Sequence, residues 1–205
     1  MNVLILRILV LPFMVLALTF HEFAHAWTAY RLGDPTAKAY GRLSLNPLVH
    51  IDWLGLIMIV LVGFGWAKPV PVDPSRFRNP PLHMAIVAAA GPISNLLLAL
   101  VGVFIYRITV FTAPSLLPIV DTFVWLNVIL AVFNMIPLPP LDGWRVLQGI
   151  NPSLYWNYDL EHKLQYVLLG LILLSILLPT FDILGMIIFP IAKFIYTSLF
   201  ALLGM

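Results

Sequence analysis

The sequence contains no cysteine among its 205 residues, and charged residues make up only 10% of it. Without cysteine there is no disulfide framework and no thiolate ligand, so any metal site must use His, Asp or Glu. The 11 Lys and Arg residues nearly balance the 9 Asp and Glu residues, which leaves no basic excess to attract nucleic acid. The hydrophobic fraction of 61% exceeds the roughly 45–50% of soluble domains and excludes a disordered chain. The composition therefore indicates a membrane protein.

Apolar segments follow one another along the chain and are separated by breaks rich in proline and glycine. They cover residues 3–30, 51–65, 81–111, 120–136, 161–178 and 183–204. The segment 51–65 is short, because a membrane span takes about 20 residues. The loops on both sides of it carry Lys and Arg and are both expected in the cytoplasm, so the simplest topology makes 51–65 re-entrant. We predict an all-α polytopic membrane protein with five to six transmembrane or re-entrant helical segments.

The first apolar segment carries a motif of chemical interest, His-Glu-Phe-Ala-His at residues 21–25. On a helix, His21 and His25 lie on one face within roughly 40° of each other and can bind one Zn²⁺, with Glu22 beside them to act on water. Two core histidines that only form hydrogen bonds are the alternative. Ionisable residues inside an apolar helix are costly unless they serve a function, so the motif favours a metal-dependent hydrolase.

A catalytic zinc site has three protein ligands, so the histidine pair needs a third ligand from another segment. Asp142 is the best candidate, because it follows a proline-rich break, residues 137–141, at membrane depth. An interfacial Asp-Gly turn is the alternative interpretation of the same residues. His50 is a rival ligand, although a local hydrogen bond is the simpler explanation for that histidine.

Three motifs together resemble the site-2 proteases, the zinc intramembrane metalloproteases. They are the His-Glu-x-x-His pair, the stretch AGPISN at 90–95 and the stretch NMIPLPPLDG at 134–143. The stretches GRLSLNP at 41–47 and FGWAKPVP at 64–71 are similar to the compact prokaryotic branch of that family. No polar segment is long enough for the PDZ domain that some relatives contain.

The resemblance implies roles for six residues. One Zn²⁺ is expected on His21, His25 and Asp142, and Glu22 is expected to act as the catalytic general base and acid. Asn95 and Asn134 are expected near the site, in contact with the substrate or the oxyanion. Contacts between helices are the alternative role for both asparagines.

The activity that the resemblance implies is hydrolysis of peptide bonds in or near transmembrane segments of membrane proteins, as in regulated intramembrane proteolysis. The expected partners are a transmembrane protein substrate and the lipid bilayer, and the expected location is a prokaryotic cell membrane with the site toward the cytoplasm. A membrane metal-ion transporter is the alternative, since some zinc carriers place similar motifs in a helix. Such a carrier needs a second ligand-rich helix, which the apolar segments lack. A proteolytically inactive scaffold is disfavoured because the expected ligands and Glu22 are all present.

The expected organisation is a single integral membrane domain at 1–205, with a catalytic core at about 1–150 and two C-terminal helices at about 161–204. Two further segments, 38–48 and 66–73, contain short runs typical of extended backbone. They predict a small interfacial β element, with proline confining each piece to an edge. Such an edge would capture an unwound substrate as an added strand.

Overall fold

The structure is a computed structural model that describes residues 3–204. Within that range the chain forms α-helices joined by loops and short 3₁₀ turns. The helices are α1 (Val3–Arg31), α2 (Thr36–Ala39), α3 (Trp53–Val62), α4 (Pro80–Thr112), α5 (Leu117–Asn134), α6 (Asp142–Ile150), α7 (Tyr158–Leu177) and α8 (Ile183–Ala201).

Five of these helices, α1, α4, α5, α7 and α8, are long and apolar enough to cross a membrane. Each has at least the length of about 18 residues that a bilayer core of about 30 Å requires. The protein is therefore an all-α polytopic membrane protein, as the sequence predicts.

The main buried apolar cluster of the bundle lies between α4, α5, α7 and α8. Gly102 of α4 lies directly against Val124 and Phe123 of α5, and a side chain at that glycine would collide with them. Small residues allow this close approach of helices in membranes. Helix α8 covers the same core, and the Tyr196 hydroxyl donates a hydrogen bond to the Asp121 carboxylate near the start of α5. The core residues are Ala99, Val103, Val124, Val128, Val132, Leu168, Leu184, Ile188 and Ala192.

The short helix α3 does not have the length of a membrane span. Its 10 residues extend about 15 Å, half of the bilayer core. Asp52 caps its start by accepting a hydrogen bond from the Gly55 amide at 2.9 Å. Gly63 ends it with a φ of 88°, a left-handed conformation that glycine adopts without strain.

After α3 the chain returns to the place where the segment began. The Lys68 amide donates to the His50 carbonyl at 2.8 Å, and the carbonyl of Trp66 lies against Gly55, where a side chain would not fit. Arg7 of α1 donates to the last three carbonyls of α3 at 2.6–3.2 Å. Both ends of the segment 50–68 are thus joined, which favours re-entry over crossing.

The expected interfacial β element is wrong, because residues 3–204 contain no strand. Part of 38–48 is instead helical, in α2 and in a 3₁₀ turn at 47–49, and 66–73 is a loop that forms neither helix nor strand. Prolines at positions 69 and 71 lack the N–H that a sheet needs. Three amides of the segment bond elsewhere: that of Lys68 to the His50 carbonyl, that of Val70 to the Glu22 carboxylate and that of Asp73 to the Asp34 carboxylate at 2.8 Å. An extended sequence alone does not supply a pairing partner.

Candidate active site

The histidine motif lies in the second half of α1 and faces the interior of the bundle. His21, Glu22 and His25 are all buried, with exposures of 4%, 9% and 8%. The two imidazole rings meet edge to face, with their centres 4.6 Å apart. Side chains four residues apart project from one helix face, so this contact follows from the spacing in the sequence.

Asp142 comes to the same place from a distant part of the chain. It is the first residue of α6, which begins directly after the proline-rich break. Its Oδ2 lies 3.1 Å from Nε2 of His21, and its Oδ1 lies 3.4 Å from Nε2 of His25. Both carboxylate oxygens of Asp142 therefore face the two imidazole rings.

The donor set fits a zinc ion. Nδ1 of His25 lies 2.7 Å from the Val87 carbonyl, which only accepts, so that nitrogen carries a hydrogen and Nε2 is the atom left to bind a metal ion. Oδ2 of Asp142 is buried, and Nε2 of His21 lies next to it at 3.1 Å. When both rings are neutral, the Nε2 lone pairs face the carboxylate oxygens, which is unfavourable unless a proton or a metal ion lies between them. Four ligands at a Zn–N distance of about 2.0–2.1 Å are separated by about 3.3 Å, close to the two distances measured here.

His21 is held by an asparagine. Its Nδ1 lies 2.7 Å from Oδ1 of Asn95, whose exposure is 0%. The Asn95 amide nitrogen donates to the Ala17 carbonyl at 3.1 Å and to Oδ1 of Asn127 at 3.0 Å. Both amide hydrogens of Asn95 are therefore used, and the side chain contacts a predicted ligand.

Gly91 of α4 makes room for both histidine rings. A methyl group at this position would lie 2.5 Å from Cε1 and Nε2 of His25 and 2.6 Å from Cε1 of His21. Carbon atoms in ordinary contact are about 3.5–4.0 Å apart, so only glycine is compatible with these ring positions.

Glu22 is oriented by the loop that follows α3. Its Oε2 accepts a hydrogen bond from the Val70 amide at 3.1 Å. The buried guanidinium of Arg42 donates to the carbonyls of Lys68 and Pro69, which directly precede that amide. Arg42 and Glu22 attract each other, and this attraction partly offsets the lowering of the Arg42 pKa by burial. The Glu22 carboxylate is thus held by residues outside α1, the helix that carries it.

His50 and Asn134, which were also considered for the site, lie outside the ligand cluster. Nε2 of His50 donates to the Ser44 carbonyl at 2.8 Å, and burial lowers the pKa of His50, which leaves a neutral ring at pH 7. It is not part of the ligand cluster, as its local hydrogen bond suggested. Asn134 donates to the Leu130 carbonyl of its own helix at 3.0 Å and makes no hydrogen bond to the cluster. Its contact with substrate stays a prediction.

Sequence reasoning missed several residues that support the site. Gly91 belongs to the motif that carries the resemblance, but its contact with the ligands depends on helix packing. Asn127 could have been noticed in the sequence, because a polar side chain inside an apolar membrane segment suggests a functional role. The amide of Val70 and the carbonyl of Val87 are backbone groups and have no signature in the sequence.

A buried histidine pair with a converging carboxylate, in a chain with five helices apolar enough to cross a membrane, is typical of one class of protein, the intramembrane metalloproteases. The sequence model of Peptidase family M50 matches residues 109–178. YwhC of Bacillus subtilis, which carries zinc metalloprotease in its name, is 42% identical over 154 residues, 69% of this chain and 70% of YwhC. The chain belongs to peptidase family M50, the site-2 proteases.

Two other relatives also carry zinc metalloprotease in their names. Rip2 of Mycolicibacterium smegmatis is 32% identical over 153 residues, which cover 71% of this chain and 59% of Rip2. MJ0611 of Methanocaldococcus jannaschii is 33% identical over 137 residues, 66% of each chain. No solved structure matches the chain.

Proposed function

We propose that this membrane metalloprotease cleaves peptide bonds in or near transmembrane segments of other membrane proteins, in regulated intramembrane proteolysis. One observation carries the proposal: ligand atoms from His21, His25 and Asp142 lie within 4.8 Å of one another inside the bundle. These three residues would hold one Zn²⁺. When bound, zinc supplies a Lewis acid that polarises a carbonyl and lowers the pKa of water.

Glu22 is proposed as the general base and then the general acid. Glu22 follows His21 in the sequence, but its carboxylate is not one of the converging ligands, so it is free to accept and donate a proton. It removes a proton from the attacking water and then delivers it to the leaving amine, which completes hydrolysis of the peptide bond. The Val70 amide holds this carboxylate in place through the hydrogen bond described above.

The two asparagines are proposed to act differently. Asn95 has no free amide hydrogen, so it orients His21 and does not bind an oxyanion. Asn134 uses its amide nitrogen for one bond within α5, which leaves a second hydrogen for the substrate. We assign the substrate or oxyanion contact to Asn134.

A substrate helix must unwind before its amide bonds are accessible, because an intact helix hides them. The loop at 66–73 contacts Glu22 through the Val70 amide, and its exposed residues Lys68 and Pro69 offer a place for an unwound chain. This replaces the expected capture by an existing β-strand.

The location and organisation remain proposals. We place the site toward the cytoplasm, because the loops that carry Lys38 and Arg76 lie at the same end of the bundle as the site and are basic. The named relatives come from bacteria and an archaeon, which supports a prokaryotic cell membrane. We keep a catalytic core at about 1–150, with α7 and α8 as supporting helices.

The transporter alternative has no support from the comparisons. Residues 3–204 contain a single group of three or more side chains that converge as metal ligands, whereas a carrier needs a further site to pass the ion on. The test is zinc-dependent cleavage of a transmembrane substrate by purified protein. We expect a chelator to abolish cleavage and added Zn²⁺ to restore it. Cleavage that continues after complete zinc removal would refute the proposal.

A further inference from the structure

Asn127 is a buried amide that the proposed mechanism does not use directly. It lies in the middle of α5, with an exposure of 0%. Its side chain forms hydrogen bonds with the Phe123 carbonyl of α5 and with Asn95 of α4, and with none of the proposed metal ligands. A polar group in the apolar interior of a membrane bundle is costly unless its hydrogen bonds serve a purpose.

The hydrogen bonds of Asn127 can be assigned atom by atom. Its Nδ2 donates to the Phe123 carbonyl at 2.9 Å, because a carbonyl only accepts. Its Oδ1 therefore points the other way and accepts from Nδ2 of Asn95 at 3.0 Å. The Phe123 carbonyl thus fixes the orientation of the Asn127 amide, and the Asn127 amide in turn fixes the orientation of the Asn95 amide.

The same reasoning reaches His21. Nδ2 of Asn95 is fixed by the Ala17 carbonyl and by Asn127, so its Oδ1 faces Nδ1 of His21 at 2.7 Å. An amide oxygen only accepts, so Nδ1 of His21 carries the hydrogen. In the neutral ring the lone pair is then on Nε2, the atom that points toward Asp142. A bound metal requires this tautomer.

We propose that Asn127 is a positioning residue that, through Asn95, holds His21 in the tautomer and orientation required for metal binding. The inference rests on the proposed function, because it assumes that His21 is a zinc ligand. Partners beyond the direct ligands typically change metal affinity by about 10–100-fold when they are removed.

Asn127→Leu removes both hydrogen bonds and keeps the approximate shape of the side chain. One hydrogen of Asn95 then lacks an acceptor, and rotation of that amide would present N–H to Nδ1 of His21 and favour the wrong tautomer. We expect the zinc dissociation constant of the purified apoprotein, measured by chelator competition, to rise at least about tenfold.

Asn127→Asp is the conservative variant. An acid in this apolar place stays protonated, so it donates to the Phe123 carbonyl and still accepts from Asn95. We expect its zinc dissociation constant to lie within about threefold of that of the unmodified protein, a smaller change than the rise of about tenfold expected when the partner is lost. Thr109→Val is the matched control, since it deletes a buried hydrogen bond to the Ile105 carbonyl within α4, remote from the site. Its zinc affinity should not change.

The outcomes separate the two proposals. If the unmodified protein binds no zinc, the proposed function fails. If it binds zinc and Asn127→Leu binds as tightly as Asn127→Asp and Thr109→Val, the positioning role fails. Should the leucine variant not fold, Asn127→Ser takes its place, because serine still bonds to a carbonyl one turn back, as Ser175 does, but is too short to reach Asn95. Unchanged zinc affinity of the serine variant would also overturn the role.

Discussion

Gly91→Ala is expected to disrupt the proposed metal site while the protein still folds. The new methyl group would lie 2.5 Å from two atoms of the His25 ring and 2.6 Å from the His21 ring. Ordinary carbon contacts are about 3.5–4.0 Å, so the rings must move by about 1 Å. Metal–ligand distances tolerate only about 0.2 Å. A misplacement of about 1 Å costs roughly 10²-fold in catalysis, and we expect both zinc affinity and cleavage to fall by at least that factor.

The same substitution removes a glycine from the middle of α4. Alanine is more favourable than glycine in a helix interior by about 1 kcal/mol, which offsets part of the steric cost to the fold. We therefore expect the protein to insert and unfold near its normal temperature.

The assay pairs zinc content with cleavage of a model transmembrane substrate, and Gly170→Ala is the control. Gly170 lies in α7 with nothing within 4 Å of an added methyl group, so this variant should keep its zinc and activity. Normal zinc affinity in Gly91→Ala would refute the assignment of His21 and His25 as ligands that pack against α4.

Further predictions concern the third ligand and the topology. Asp142→Asn should lower zinc occupancy and abolish cleavage while the protein still inserts, because a neutral amide is a poorer ligand than a carboxylate. His50→Ala should keep most of the metal, and equal zinc loss in both variants would show that His50 belongs to the site. Single cysteines at Lys38 and Arg76 should react from one side of the membrane and one at Ser115 from the other, because Arg76 lies 3.6 Å from Asp34, close to Lys38 in the chain. Labelling of 38 and 76 from opposite sides would make the segment between them a true span.

The parts of this protein that depend on local spacing could be predicted from its sequence. His21 and His25 share a face because a helix has about 3.6 residues per turn, and five long apolar segments are sufficient to indicate the bundle. The convergence of Asp142 with the histidines could be predicted, because an acidic residue that follows a proline-rich break at membrane depth needs a partner.

The parts that depend on packing between distant elements were not predictable in the same way. Asn127 reaches the site only because α4 and α5 approach closely, and Gly91 matters only because two rings lie against it. The expected β element fails for a similar reason. Extended residues were recognisable at 66–73, but their amides bond to Glu22 and Asp34 and not to a neighbouring strand.

The central claim, that Glu22 is the proton carrier of a zinc protease, is tested most directly by Glu22→Gln in purified protein. The amide oxygen of glutamine can still accept the hydrogen bond from Val70, and the three proposed ligands are untouched. We therefore expect zinc content and substrate binding to be retained. Cleavage of a transmembrane substrate should fall by roughly 10²–10⁴-fold, the contribution of general acid–base catalysis. Cleavage at the unmodified rate, with zinc retained, would contradict the account.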